Sequence, residues 1–212
     1  MNEIKSLQGE NAELHYFLED SLSMKFSIGR IDGILRSVVS LDREEFSDYA
    51  LSVKVVDNGK PRLSSKVDVR VKVEDLNDNV PRFNPKYYSA RVLENASVGM
   101  EVIATHARDA DEGKNGEIRF AIISGNSEGD FTVGEYNGVI RVNKRLDYER
   151  RNSYQLTVQA RDQASGAVDS KYDTAAVTIT VSDINDCAPE MADSPYRLEA
   201  RQSKGMKTKC CD

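Results

Sequence analysis

The chain has 212 residues, a formal net charge of -6, 39% hydrophobic and 30% charged residues. That length accommodates two domains of about 100 residues each. The acidic balance argues against a nucleic-acid partner, whose phosphates need clustered Lys and Arg, and it suits cations instead. No run of about 18 apolar residues is present to cross a membrane, and Met1–Glu10 is polar throughout, so no signal peptide is expected there. Cys187, Cys210 and Cys211 have neither zinc-site nor disulfide-framework spacing. The adjacent pair suits a free or intermolecular thiol, and the redox compartment is not legible from them.

In chain order, the first recognisable pattern begins near Asn11. Tyr49, Leu51, Val53 and Val55 alternate with mostly polar neighbours, as do Val67, Val69, Val71 and Val73. Period-2 alternation of β-branched residues predicts strands with one buried face. The turn formers Asp57-Asn58-Gly59-Lys60-Pro61 separate the two runs. An acidic turn follows, Glu74-Asp75-Leu76-Asn77-Asp78-Asn79-Val80-Pro81, and its near copy is Ser182-Asp183-Ile184-Asn185-Asp186-Cys187-Ala188-Pro189. Between them the spacing predicts seven strands near Tyr87–Leu93, Glu101–Ala107, Ile118–Ser124, Phe131–Tyr136, Val139–Lys144, Ser153–Arg161 and Lys171–Val181, with turns at Asn137-Gly138 and Ser165-Gly166. No stretch has convincing helical spacing and caps.

The two segments overlay at a constant offset. Phe26-Ser27-Ile28-Gly29 matches Phe131-Thr132-Val133-Gly134 (131 − 26 = 105), and Gly33-Ile34, Leu41-Asp42-Arg43-Glu44 and Asp57 have counterparts at the same distance. The acidic turns lie 183 − 75 = 108 apart. Duplication with about seven short strands per copy predicts an all-β chain of tandem Greek-key β-sandwiches, the first truncated at its N-terminus. The expected units are residues 1–81 (a partial repeat), 82–189 (a complete repeat) and 190–212 (a divergent tail). Tyr196-Arg197-Leu198-Glu199 would be the stub of a next repeat in a longer array. The two missing strands are expected to leave sheet edges open in the first copy.

The acidic residues cluster where strands end. Asp42, Glu44, Asp75 and Asp78, with Asn77, come from the first copy; Asp109, Asp111 and Asp162 come from the second. Seven carboxylates at one joint repel unless neutralised, and calcium does this with about 6–8 oxygens. In an extended chain, residues i and i+2 point the same way, so both carboxylates of Asp109-Ala110-Asp111 reach one ion.

Leu-Asp-Arg-Glu, Asp-Leu-Asn-Asp-Asn-x-Pro, Asp-Ala-Asp-x-Gly-x-Asn-Gly and Leu-Glu-Asn together resemble the calcium motifs of extracellular cadherin repeats, from about Asn11 to Pro189. In tone they are similar to protocadherins and to the long Fat and Dachsous cadherins. The resemblance implies up to three calcium ions at the central joint. The first would use Asp42, Glu44 and Asp78; the second Glu44, Asp75, the Leu76 carbonyl, Asp78 and Asp111. The third would use the Asn77 side chain, the Asn79 carbonyl, Asp109, Asp111, the Asn115 carbonyl and Asp162. The family's bridging glutamate occurs as Glu94 in the second copy and has no equivalent in the first, so the first two ions are expected to bind weakly. A second joint would be half-built from Glu94, Asp147, Glu149, Asp183, Asn185 and Asp186. Cys187 replaces an Asn there, where only a carbonyl is needed. Asp57 would face a preceding repeat.

Competing readings carry less. Asp109-x-Asp111-x-Gly113 lacks the Gly and the helices of an EF-hand loop. Asp147 and Glu149 as a glycosidase pair find no Trp to stack a sugar, and no enzyme activity is expected. His15 and His106 read as ordinary residues of predicted strands. Asn95-Ala96-Ser97 fits an N-glycosylation acceptor, and Lys204–Lys209 reads as a solvated tail. The resemblance implies calcium-dependent cell–cell adhesion or recognition, homophilic or heterophilic, at the plasma membrane. Its partners would be cadherin repeats on an opposing or neighbouring cell, with no nucleic acid and no small-molecule substrate. The alternative is a secreted structural or carbohydrate-binding module, which would need an exposed aromatic platform that the sequence does not identify.

Overall fold

The computed structural model describes residues 13–19, 24–164 and 170–185. Asn11, Ser165, Gly166, Asp186, Cys187, the other two cysteines and the Tyr196–Glu199 stub lie outside them. The described residues form fourteen strands and no helix: β1 (Leu14–Leu18), β2 (Phe26–Ile28), β3 (Leu35–Ser37), β4 (Asp48–Asp57), β5 (Ser64–Lys72), β6 (Arg82–Phe83), β7 (Tyr87–Leu93), β8 (Glu101–Ala104), β9 (Ala107–Arg108), β10 (Arg119–Ser124), β11 (Phe131–Val133), β12 (Val139–Val142), β13 (Ser153–Arg161) and β14 (Tyr172–Ser182). The sheets are β1-β4-β5 and β2-β3, then β10-β13-β14-β7, β11-β12-β8 and β6-β9. Pairings among β1–β5 thus repeat those among β10–β14, which is how duplication at a constant offset appears in three dimensions.

Alternation sets the core. On β13, Tyr154, Leu156 and Val158 are buried opposite Ile179, Val177 and Ala175 of β14 across the antiparallel ladder, with Ala160 and Val181 buried at its two ends. Burial of side chains of this size contributes about 1.5–3 kcal/mol each. Strand β7 then adds to β14 in parallel from Tyr87↔Ala176 to Leu93↔Ser182, which places Glu94 at the end of the sheet. Among the described residues, the first copy holds no counterpart of β7 or β8, so β5 pairs with β4 alone and β3 with β2 alone. The consequence is visible at equivalent positions. Ala175 is 3% exposed and Val67, 108 positions earlier, is 58% exposed.

Three predicted strands need correction. Glu101–Ala107 is broken at Thr105-His106, because Thr105 turns its N–H and its hydroxyl to the Gly138 carbonyl, both at 2.9 Å. His106 therefore lies between β8 and β9, where its N–H donates to the Tyr88 hydroxyl (3.1 Å). Phe131–Tyr136 ends at Val133, since Gly134 to Gly138 close a turn (Gly138 N–H to Gly134 carbonyl, 2.9 Å). Val139–Lys144 ends at Val142, beyond which Asn143 N–H bonds the Asp130 carbonyl.

Each copy holds an edge-to-face aromatic pair at equivalent positions, Phe26–Tyr49 (5.1 Å) and Phe131–Tyr154 (4.8 Å), and the second adds Phe83–Phe120 (6.0 Å). The charges around the two tyrosines are inverted. In the first copy Lys25 Nζ donates to the Tyr49 hydroxyl (3.2 Å) and pairs with Glu45 (3.2 Å). In the second, Asp130 and Arg150 hold those two positions: the Tyr154 hydroxyl donates to Asp130 Oδ2 (2.9 Å), and Arg150 Nη2 lies 3.3 Å from both carboxylate oxygens. Asp130 is 1% exposed, so the second copy buries a charge beside its tyrosine. Asp130→Ala leaves the Tyr154 hydroxyl buried without its acceptor. The expected cost is about 1–3 kcal/mol in denaturant unfolding, most of which disappears when Tyr154→Phe is the background.

Burial, then the hydrogen bond to Asp130 and the charge of Asp130, push the Tyr154 phenol up to about 12. An unfolded tyrosine titrates near about 10. The neutral phenol therefore stabilises the fold fully below about pH 10, and that contribution is lost as pH rises towards about 12. Spectrophotometric titration is expected to show a phenol ionising near that upper value in the wild type and the loss of that step in Tyr154→Phe. Normal titration of every tyrosine in the wild type would contradict the burial.

Candidate metal centre

Four segments converge between the two copies: the turn after β3, the acidic turn after β5, the loop after β9 and the end of β13. Asp42 shapes the first by accepting the N–H groups of Glu44 (2.9 Å) and Glu45 (3.2 Å), which turns Glu44 towards the joint. The acidic turn cannot extend β5, because Leu76 accepts the Asp78 N–H (2.7 Å) and tightens the chain. Beyond Pro81 the linker is pinned to the second sandwich, where Asp173 accepts the Phe83 N–H and the Lys86 ammonium, each at 3.0 Å.

Carboxylate oxygens of Glu44 and Asp78 from the first copy and Asp111 from the second all lie within 4.8 Å of one another. Asparagine amides stitch the two sides together. Asn77 Nδ2 donates to Asp162 (3.1 Å), Asn115 Nδ2 to Asp75 (2.8 Å), and Asn79 sends its N–H (3.1 Å) and Nδ2 (2.7 Å) to Asp111. Asp162 is 1% exposed and also accepts the N–H groups of Ala164 and Lys171. Asp109 accepts the Asp111 N–H with one oxygen (3.0 Å), and its Oδ2 is buried with no hydrogen-bond donor.

The electrostatics follow from this crowding. Burial, reinforced by the nearby Asp111 and Asp162 charges, pushes the Asp109 carboxyl above the ordinary range. Burial acts on Asp75 in the same direction, but the Asn115 amide, the Glu112 N–H and the Arg43 guanidinium outweigh it and hold Asp75 below that range. Arg43 is the joint residue that motif reading passed over. Its partners Asp75 and Ala110 are distant in sequence, and the one sequence signal is that Tyr148 stands at the equivalent position of the second copy.

The second predicted set is partly assembled. Oxygens of Glu94, Asp147 and Glu149 lie within 4.8 Å of one another. Glu94 is 4% exposed and accepts the Ile184 N–H (2.6 Å) and the Tyr148 N–H (2.9 Å). Asp183 and Asn185 are exposed, Asp186 lies outside the described residues, and Asp57 spends one oxygen on Gly59 and Leu63 N–H groups. Asn95 is exposed in the turn next to Glu94.

These residues fit a hard cation. The donor set at the central joint is all oxygen, it is contributed by both copies, and the orphaned Asp109 Oδ2 faces a crowded set of like charges that a dication would neutralise.

The sequence profile described as the cadherin domain matches residues 3–74 and 88–182. Human protocadherin Fat 4 is 42% identical over 197 residues, 93% of this chain and 4% of that protein. Human cadherin-23 is 38% identical over 205 residues, 94% of this chain and 6% of that protein. The solved structure of mouse cadherin-23 EC22-24 superposes with a TM-score of 0.75 at 28% identity, covering 90% of this chain and 60% of that one. The chain therefore spans a small part of the curated relatives it matches.

Two glycines shape the loop that carries Asp109 and Asp111, for different reasons. Gly113 has φ +60° with open space around it, so alanine there meets only left-handed backbone strain, about 1–2 kcal/mol. At Gly116 a Cβ would lie 2.0 Å from the Asp111 carbonyl oxygen. Gly116→Ala is therefore expected to lower thermal stability more than Gly113→Ala and to expose the Asp111 amide to hydrogen exchange. Equal effects of the two substitutions would contradict this placement.

Proposed function

The chain belongs to the cadherin domain family, and from that premise we propose that it is a calcium-stiffened stretch of an extracellular array for cell–cell adhesion or recognition. In this reading the units are residues 1–81 and 82–189, followed by a divergent tail at 190–212. The partners are cadherin repeats on an opposing or neighbouring cell, and the parent protein sits at the plasma membrane. The observation that carries the reading is the convergence of Glu44 and Asp78 from one copy with Asp111 from the next.

A bound calcium ion supplies the positive charge that lets these carboxylates share one site. The residues of the chain do the rest. Glu44, Asp75 and Asp78 present oxygens from the first copy, while Asp109, Asp111 and Asp162 present them from the second. Asp42 orients Glu44 through its turn, and the asparagine amides set the spacing across the joint. Ligands drawn from both sides fix the angle between the copies, so less orientational freedom is lost when arrays meet. Glu94, Asp147 and Glu149 would serve the following joint in the same manner.

A calorimetric calcium titration with small-angle scattering tests the proposal. Heat of binding and a more extended, narrower distance distribution in millimolar calcium than in chelator are expected. Asp111→Asn, which removes the charge at the centre of the cluster, is expected to weaken binding on the order of tenfold or more. Identical heats and dimensions with chelator and with calcium would sink the reading.

A further inference from the structure

Arg43 and Tyr148 occupy the same place in the two copies, between the Asp and the Glu of Leu-Asp-x-Glu. Tyr148 packs against the core of its sandwich. Arg43 turns into the joint instead. Its Nη2 donates to Glu44 Oε1 (2.5 Å) and to the Ala110 carbonyl (2.7 Å), and its Nε contacts Asp75. The Arg43 and Asp75 side chains are each 14% exposed and the Glu44 side chain 25%, so the side chains are partly covered although the Glu44 residue as a whole lies at the surface. Glu44 and Asp75 belong to the first copy and Ala110 to the second. One guanidinium therefore binds oxygens on both sides of the joint. The planar fork of Arg, with its fixed array of donors, suits this bridging as the single point charge of Lys does not.

We propose that Arg43 is a resident cation of the joint that bridges the two copies and competes with calcium for Glu44 and Asp75. The inference rests on the calcium reading above. A guanidinium in contact with these two carboxylates and a dication on the same oxygens repel each other, so the side chain must swing out before both carboxylates are available. Apparent calcium affinity is then reduced by the fraction of molecules in which Arg43 has left. The same contact, reaching from Glu44 and Asp75 to the Ala110 carbonyl, retains a preferred angle between the copies when calcium is scarce. A joint with tyrosine at this position has no such competitor, so one residue sets how much calcium each joint requires.

The test uses the full chain as wild type, Arg43→Met, Arg43→Tyr and Arg36→Met. Tyrosine is the residue carried at this position by the second copy, which guards against a folding failure. Arg36 pairs with Asp32 on an exposed strand away from the joint and controls for loss of a charge. Both Arg43 variants are expected to bind calcium about tenfold more tightly in calorimetry. In chelator both are expected to give a broader scattering distance distribution, and Arg36→Met to match the wild type in both measurements. If the wild type binds calcium and the Arg43 variants bind no more tightly, or if their distance distribution in chelator is unchanged, the inference is overturned and the calcium reading stands. A wild type that binds no calcium overturns the reading and the competition with it.

Discussion

Like charges brought together across a joint are the constraint on which this structure turns. Glu44, Asp78 and Asp111 place oxygens within 4.8 Å of one another. At that separation each pair of charges costs about 3 kcal/mol for an effective dielectric near 20. Such a cluster persists only where something offsets it, and the chain uses two means of its own. Asparagine amides donate into the carboxylates from the opposite copy, and one guanidinium reaches across the joint. Neither reaches Asp109 Oδ2, which is where the crowding shows as a raised carboxyl.

Holding four loops in register requires stiff elements behind them. The second copy supplies most of that stiffness: a continuous core from Tyr154 to Val181, β7 locked onto β14, and Asp173 tying the linker to the sheet. The first copy presents its half of the carboxylates from a smaller core of Phe26, Tyr49 and Leu51, with Val67 on the open side of β5. The turns are held locally instead, by Asp42 on its own N–H groups and by Asp78 on the Leu76 carbonyl. The geometry at the joint is therefore robust even where the sandwich behind it is thin.

Sequence patterns exposed what is local and repeated. The alternation on β13 and β14, the offset of 105 positions and the two acidic turns are each carried by neighbouring residues, so they survive translation into text. The interruption at Thr105-His106 does not, because it depends on the Gly138 carbonyl, 33 residues away. The position of Arg43 is hidden for the same reason: Asp75 and Ala110 are remote in sequence, and nothing in Leu-Asp-Arg-Glu says where the side chain points. Convergence of carboxylates was legible as a list of residue types. Which amide meets which carboxylate was not, since that is decided by packing between the copies.

Comparison of the copies shows at what level the duplication is constrained. The aromatic pair is kept, Phe26–Tyr49 and Phe131–Tyr154, because an edge-to-face contact in a close-packed core tolerates little change. The charges beside it are exchanged wholesale, Lys25 with Glu45 against Asp130 with Arg150, because what the tyrosine requires is a hydrogen-bond partner and a balanced neighbour of either sign. Asp42 and Glu44 follow the first rule, with Asp147 and Glu149 at their places in the second copy. Arg43 and Tyr148 follow the second, and there the exchange is not neutral. One side chain is spent on the core and the other on the joint. On the proposed calcium reading, the same four-residue motif gives two joints with different electrostatics, and an array built from such repeats would vary its stiffness from joint to joint while the carboxylates of the motif stay the same.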